Sequence, residues 1–127
     1  MKNRLRILLA FVFLLGATSV VSAQEVRLRA RLAGAPINGI TPKRVADSRA
    51  RSDGSRLKIQ VEGVNLPGAT LNVLIDGVLV GHMTINAALT GELQLNTNDS
   101  QTVPVVGRGS TVVVTNQAGG TIVGGTF

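Results

Sequence analysis

Alternation of apolar and charged residues with a period of two limits the folds open to this chain more than any other feature. It is clearest over residues 26–32, where Val, Leu, Ala and Leu alternate with Arg27, Arg29 and Arg31. A strand with this period packs one face on a core and exposes the other to water. Residues 57–62 repeat the pattern, and no segment after residue 23 shows the 3.6-residue stripe of an amphipathic helix. The chain is therefore predicted to be all-β.

Turn signals separate the predicted strands at intervals of roughly ten residues. Asp76-Gly77 is the strongest hairpin signal, since apolar segments flank it on both sides, and Gly54 marks a second hairpin at residues 52–55. Pro104 places the extended segment 103–105 at a sheet edge or an irregularity. The pattern indicates a β-sandwich or a small barrel. The predicted strands cover residues 26–32, 43–51, 57–62, 71–75, 78–85, 92–97, 111–115 and 121–127.

The N-terminus has the features of an export signal. Lys2, Arg4 and Arg6 precede an apolar stretch over residues 7–21, and Val21-Ser22-Ala23 fits the small-x-small pattern for cleavage after Ala23. We expect a signal-peptide helix over residues 1–23, a single domain over 24–127, and secretion or residence in the periplasm or cell envelope. An uncleaved N-terminal anchor is the alternative. The chain has no cysteine, so its stability must come from an ordinary core rather than from disulfides.

Positive charge is concentrated in the first third of the predicted mature chain. Arg108 is the only cation beyond residue 58. One interpretation is a basic face that binds an anionic surface, such as lipid head groups or an acidic polysaccharide. The other is a solvated strand face without a ligand. Nucleic acid is disfavoured, because no aromatic residue is interleaved with the cations to stack bases. The candidate binding residues are Arg27, Arg29, Arg31, Lys43, Arg44, Arg49, Arg51, Arg56 and Lys58.

Residues suited to catalysis are few. His82 is the only histidine and lies in a predicted strand, so a metal site would lack a second histidine or a cysteine. Asp53, Asp76 and Asp99 fall in predicted turns, where a carboxylate caps its own backbone. We predict no catalytic residue, no metal and no cofactor, and hence no enzyme. A hydrolase using His82 and the turn aspartates remains the alternative from the enzyme class.

Phe127 is the only aromatic residue after residue 23. A terminal aromatic residue is typical of outer-membrane barrels, which makes a small barrel of this kind a further alternative. Such barrels need strands of about 9–11 residues and two aromatic girdles, and the chain has short predicted strands and no girdles. The preferred interpretation is that Phe127 packs on the core.

Strand and turn segments spread over the predicted mature chain carry a resemblance to known families. They are Leu66-Pro67-Gly68, Leu71-Asn72-Val73, Asp76-Gly77, Val80-Gly81, residues 91–95, residues 101–104 and residues 122–127. The chain resembles a group of small secreted bacterial β-domains without an established activity. Residues 30–34 and 57–61 are more distantly similar to the chordin-type (CHRD) domain. This resemblance implies an immunoglobulin-like antiparallel sandwich of seven or eight short strands.

These observations favour an exported, non-catalytic β-domain that acts as a structural, adhesive or binding module. Its partner would be an anionic cell-surface polymer, lipid head groups or another envelope protein. The charge distribution favours a narrower version, in which the arginine-bearing strands dock on an anionic surface.

Overall fold

A computed structural model describes residues 25–127, and within this part of the chain the protein is almost entirely antiparallel β-structure. The predicted all-β class is confirmed, as is the number of strands. Residues 1–23, for which the signal peptide is predicted, lie outside the described residues. The strands are β1 (Val26–Ala33), β2 (Lys43–Arg51), β3 (Gly54–Glu62), β4 (Thr70–Ile75), β5 (Val78–Thr84), β6 (Gly91–Asn96), β7 (Thr111–Thr115) and β8 (Thr121–Thr126).

All eight strands belong to one sheet, in the order β5-β4-β7-β8-β1-β2-β3-β6. The two-sheet, immunoglobulin-like arrangement is not confirmed, because β1 and β8 pair and join the two halves of the sheet. Their pairing is short, with the single register pair Ala33 and Gly124. The edge strands β5 and β6 approach each other, and Gly81 lies against Leu93 there. The sheet therefore curls into a nearly closed barrel.

The core lies inside this curl and receives side chains from every strand. Ala30 and Leu32 of β1 point inward, as the alternation predicts, and are almost completely buried. Val26 has the same phase but is 58% exposed, because β1 begins beyond the edge of the core. Phe127 is partly buried and packs against the core cluster, as expected.

The hairpin at Asp76 and Gly77 is confirmed, with φ values of 50° and 81°. Two successive left-handed residues match the twist of the flanking strands. The Asp76 carboxylate does not cap its own turn: its Oδ1 accepts a hydrogen bond of 2.9 Å from the backbone N–H of Thr111 in β7. The segment 103–105 forms no strand and belongs to an irregular connection between β6 and β7, to which Thr97–Asp99 contributes one 3-10 turn.

Candidate anion-binding face

The nine cations singled out from the sequence all lie on three neighbouring strands, β1, β2 and β3. Residues 25–62 carry nine cations and four acids, a net charge of +5, whereas residues 63–127 carry one cation and three acids, a net charge of −2. The positive charge is thus confined to one half of the sheet. We call the following set the basic face: Arg27, Arg29, Arg31, Lys43, Arg44, Arg49, Arg51, Arg56 and Lys58.

Three of these arginines form a line across the strands, which we call the arginine row. Arg27 of β1 is opposite Arg49 of β2, and Arg49 is opposite Arg56 of β3. Side chains directly opposite each other in antiparallel strands have Cβ atoms about 4.5–5.5 Å apart, and like charges at these positions destabilise the pair. The next row on the same face alternates in sign, because Asp47 stands between Arg29 and Lys58.

Glu25, just before β1, provides the counter-charge for the arginine row. Its carboxylate accepts hydrogen bonds from Nε of Arg27 and of Arg51, and one oxygen lies 3.8 Å from Nε of Arg49. The hydrogen bond from Arg51, followed by that from Arg27, lowers the pKa of Glu25. The hydrogen bond that Arg51 donates to Glu25 also raises the pKa of Arg51.

Arg49 is the most enclosed of the cations that make ion pairs, with 23% of its side chain exposed. Partial desolvation lowers the pKa of its guanidinium, and the neighbouring charges of Arg51 and Arg56 lower it further. The charged form of Arg49 is therefore held in a position where it lacks both full hydration and full neutralisation. An additional anion at this place would supply the missing neutralisation.

Two further acids pair with the basic face. Oδ1 of Asp47 accepts a hydrogen bond of 2.8 Å from Nε of Arg29. Oε1 of Glu62 accepts one of 2.9 Å from Arg44, and its Oε2 lies 4.0 Å from Nζ of Lys43. Arg44 has a φ of 141° and is exposed although its strand neighbours Leu32 and Val61 are buried, so its guanidinium reaches the outer face.

Six of the nine cations thus have a carboxylate within 4.0 Å. Arg31, Arg56 and Lys58 have none among residues 25–127. Exposed ion pairs contribute only about 0–1 kcal/mol each, so an external anion can exchange with them at little cost. The face retains unpaired positive charge at Arg56 and Lys58, next to the enclosed Arg49.

A groove of about 400 Å³ runs between the arginine row and the row of Arg29, Asp47 and Lys58. Five cations and one acid contribute to it, and the acid, Asp47, is already bonded to Arg29. The lining residues are Arg27, Leu28, Arg29, Asp47, Ser48, Arg49, Arg56 and Lys58.

Sequence reasoning found the cations of this site but missed the acids that organise them. Asp47 and Glu62 have the strand phase of the outward cations, which is a signal that the sequence contains. Glu25 shares the outward phase of Arg27, but no sequence signal shows its contacts with Arg49 and Arg51, which join residues about 25 positions apart. Only the register between β1 and β2 brings them together.

The hydrolase alternative depends on His82. Nδ1 of His82 lies 2.9 Å from Oδ1 of Asn72, the residue opposite it on β4. Within residues 25–127, no three His, Asp or Glu side chains come together in a way that could hold a metal ion. The same residues contain no helix long and apolar enough to cross a membrane.

The comparisons with known proteins leave the basic face as the main guide to function: no family model matches the chain, and no curated protein matches it significantly. The relationship to secreted bacterial β-domains and to chordin-type domains stays a prediction.

Proposed function

We propose that this protein is an exported, non-catalytic binding module whose basic face docks on an anionic surface of the cell envelope or the extracellular space. The observation that carries the proposal is the placement of nine cations on three adjacent strands, with the opposite net charge on the rest of the domain. A charge dipole of this kind orients a protein toward an anionic surface during approach.

A merely solvated face would be served equally well by dispersed charges of both signs. Here Arg27, Arg49 and Arg56 stand directly opposite one another, which costs stability relative to alternating signs. Departures from locally favourable sequence choices are expected at functional sites. Guanidinium groups also suit lipid phosphates or the acidic groups of a polysaccharide, since each arginine can make two parallel hydrogen bonds to one oxyanion.

Co-sedimentation with vesicles tests this proposal. The protein should bind vesicles of phosphatidylcholine mixed with phosphatidic acid, whose head group is a phosphate monoester, and should remain free with phosphatidylcholine alone. An acidic polysaccharide column provides the parallel arm for the other source of negative charge. In both arms, retention should fall steeply as salt shortens the Debye length from about 10 Å at 0.1 M to about 3 Å at 1 M.

A matched pair of variants separates the basic face from overall charge. Arg56→Gln removes one cation from the arginine row, and Arg108→Gln removes one from an exposed turn before β7. Arg56→Gln should weaken retention clearly more than Arg108→Gln. Equal effects of the two variants, or no binding at low salt in either arm, would contradict the proposal.

A further inference from the structure

Glu25 indicates what the arginine row recognises, because its carboxylate bonds to Arg27 and Arg51 and lies beside Arg49. The protein thus already presents an oxyanion to three guanidinium groups. This anion carries one negative charge, whereas Arg27, Arg49, Arg51 and Arg56 together carry four positive charges. Asp53 lies beside Arg49, Arg51 and Arg56, so with Glu25 and Asp53 both counted the cluster keeps a net charge of +2. Glu25 therefore does not neutralise it.

We infer that the groove beside the arginine row is a binding site for a phosphate monoester group, and that Glu25 is a built-in competitor that holds Arg27 and Arg49 until this group arrives. The inference rests on the proposed function and names the chemical group that the basic face selects. Arg56 and Lys58, which lack a carboxylate partner among residues 25–127, are the first contacts.

A phosphate monoester fits this cluster better than a carboxylate for two reasons. It carries about −1.5 to −2 charges at pH 7, which matches the surplus of positive charge more closely. It also offers three terminal oxygens, so it can accept hydrogen bonds from more than one guanidinium at once. The negative charge of Asp47 in the groove is offset by Arg29, whose Nε donates a hydrogen bond to Asp47 Oδ1.

Charge-matched variants test the competition. Glu25→Gln and Glu62→Gln each remove one negative charge from the basic face. Glu62 lies six residues along β3 from Arg56, or about 20 Å at the strand rise of 3.3 Å per residue. This exceeds the Debye length of about 8 Å at 0.15 M ionic strength, so Glu62→Gln reports only the general effect of charge.

The protein is titrated with inorganic phosphate, glycerol phosphate and acetate at constant ionic strength. Binding is measured by calorimetry and by the shifts of the arginine Nε–Hε signals in ¹H–¹⁵N spectra. We expect both phosphates to shift a subset of these signals and acetate to bind far more weakly. Glu25→Gln should tighten phosphate binding about two- to fivefold, the worth of one exposed ion pair, and Glu62→Gln should leave it nearly unchanged. Arg56→Gln should weaken it.

Equal affinities of the Glu25→Gln and Glu62→Gln variants, or acetate binding as tight as phosphate binding, would overturn the inference. Both results leave the proposed function intact if the protein still docks on anionic vesicles or polysaccharide. Failure to dock on either surface would contradict the proposed function, whereas the titration with inorganic phosphate would still decide the inference. Circular dichroism of each variant checks that the domain remains folded.

Discussion

Replacement of Gly125 by alanine tests the contact that joins the two halves of the sheet. A Cβ atom at position 125 would lie 2.3 Å from the carbonyl oxygen of Arg31 and 3.2 Å from Cδ2 of Leu32. The Leu32 side chain can move aside, but the nearest atom belongs to the backbone of β1, which cannot yield without shifting the strand. Position 125 has no positive φ, so the expected effect comes from crowding rather than from backbone conformation.

The neighbouring Gly124 is the matched control. A Cβ atom there would meet the carbonyl oxygen of Val112 at 3.5 Å, which is ordinary van der Waals contact. Alanine is favoured over glycine in a strand by about 0.5–1 kcal/mol, so Gly124→Ala should be neutral or slightly stabilising. Gly125→Ala should lower the free energy of unfolding by about 3 kcal/mol, the upper range for overpacking.

Urea unfolding followed by far-UV circular dichroism measures both variants, since residues 24–127 contain no Trp or Tyr for fluorescence. With a slope of about 1–3 kcal/mol per M, a difference of about 3 kcal/mol separates the two midpoints by about 1–3 M. Coincident midpoints for Gly124→Ala and Gly125→Ala would refute the close approach of β1 and β8, and with it the single continuous sheet.

Three further outcomes are expected. Leu57→Ala removes a completely buried side chain and should lower the free energy of unfolding by about 2–5 kcal/mol. Val78→Ala, at a position 64% exposed, should change it by less than about 0.5 kcal/mol. Similar costs for both variants would contradict the placement of the core. Asp76→Ala should lower the free energy of unfolding by about 1–3 kcal/mol, because it leaves the Thr111 N–H without its acceptor. Asp76→Asn keeps an acceptor oxygen and tolerates the left-handed φ, so it should cost less. The reverse order would argue against this hydrogen bond. The pKa of Glu25 is lower in the folded protein than its ordinary value of 4.5, so its contribution to stability is complete above pH 4.5 and is lost as the pH falls through the folded-state value. A pH series of urea midpoints should therefore fall more steeply below pH 4.5 for the unmodified protein than for Glu25→Gln, and parallel curves would show that the contacts of Glu25 do not persist in solution.

Local pattern was enough to predict the strands and the tight turns of this protein. The alternation at residues 26–32 and 57–62 marks which side chains face the core, because the strand period of two is a property of the backbone itself. Asp76 and Gly77 define their hairpin from two residues, since few residue types accept the left-handed conformation that the turn requires. The segment at 103–105 had no partner strand to pair with, and its β-branched residues alone did not make it a strand.

The sequence by itself determined an all-β chain with its cations in the first third, and thus a candidate basic face of nine residues. Only the tertiary structure decided that the strands form one curled sheet, because strand pairing depends on contacts between residues far apart in the chain. The same long-range register aligned Arg27, Arg49 and Arg56 into a row and placed Glu25 against it. The sequence gives each residue its charge, but the distances between the charged side chains depend on which strands pair and in which register.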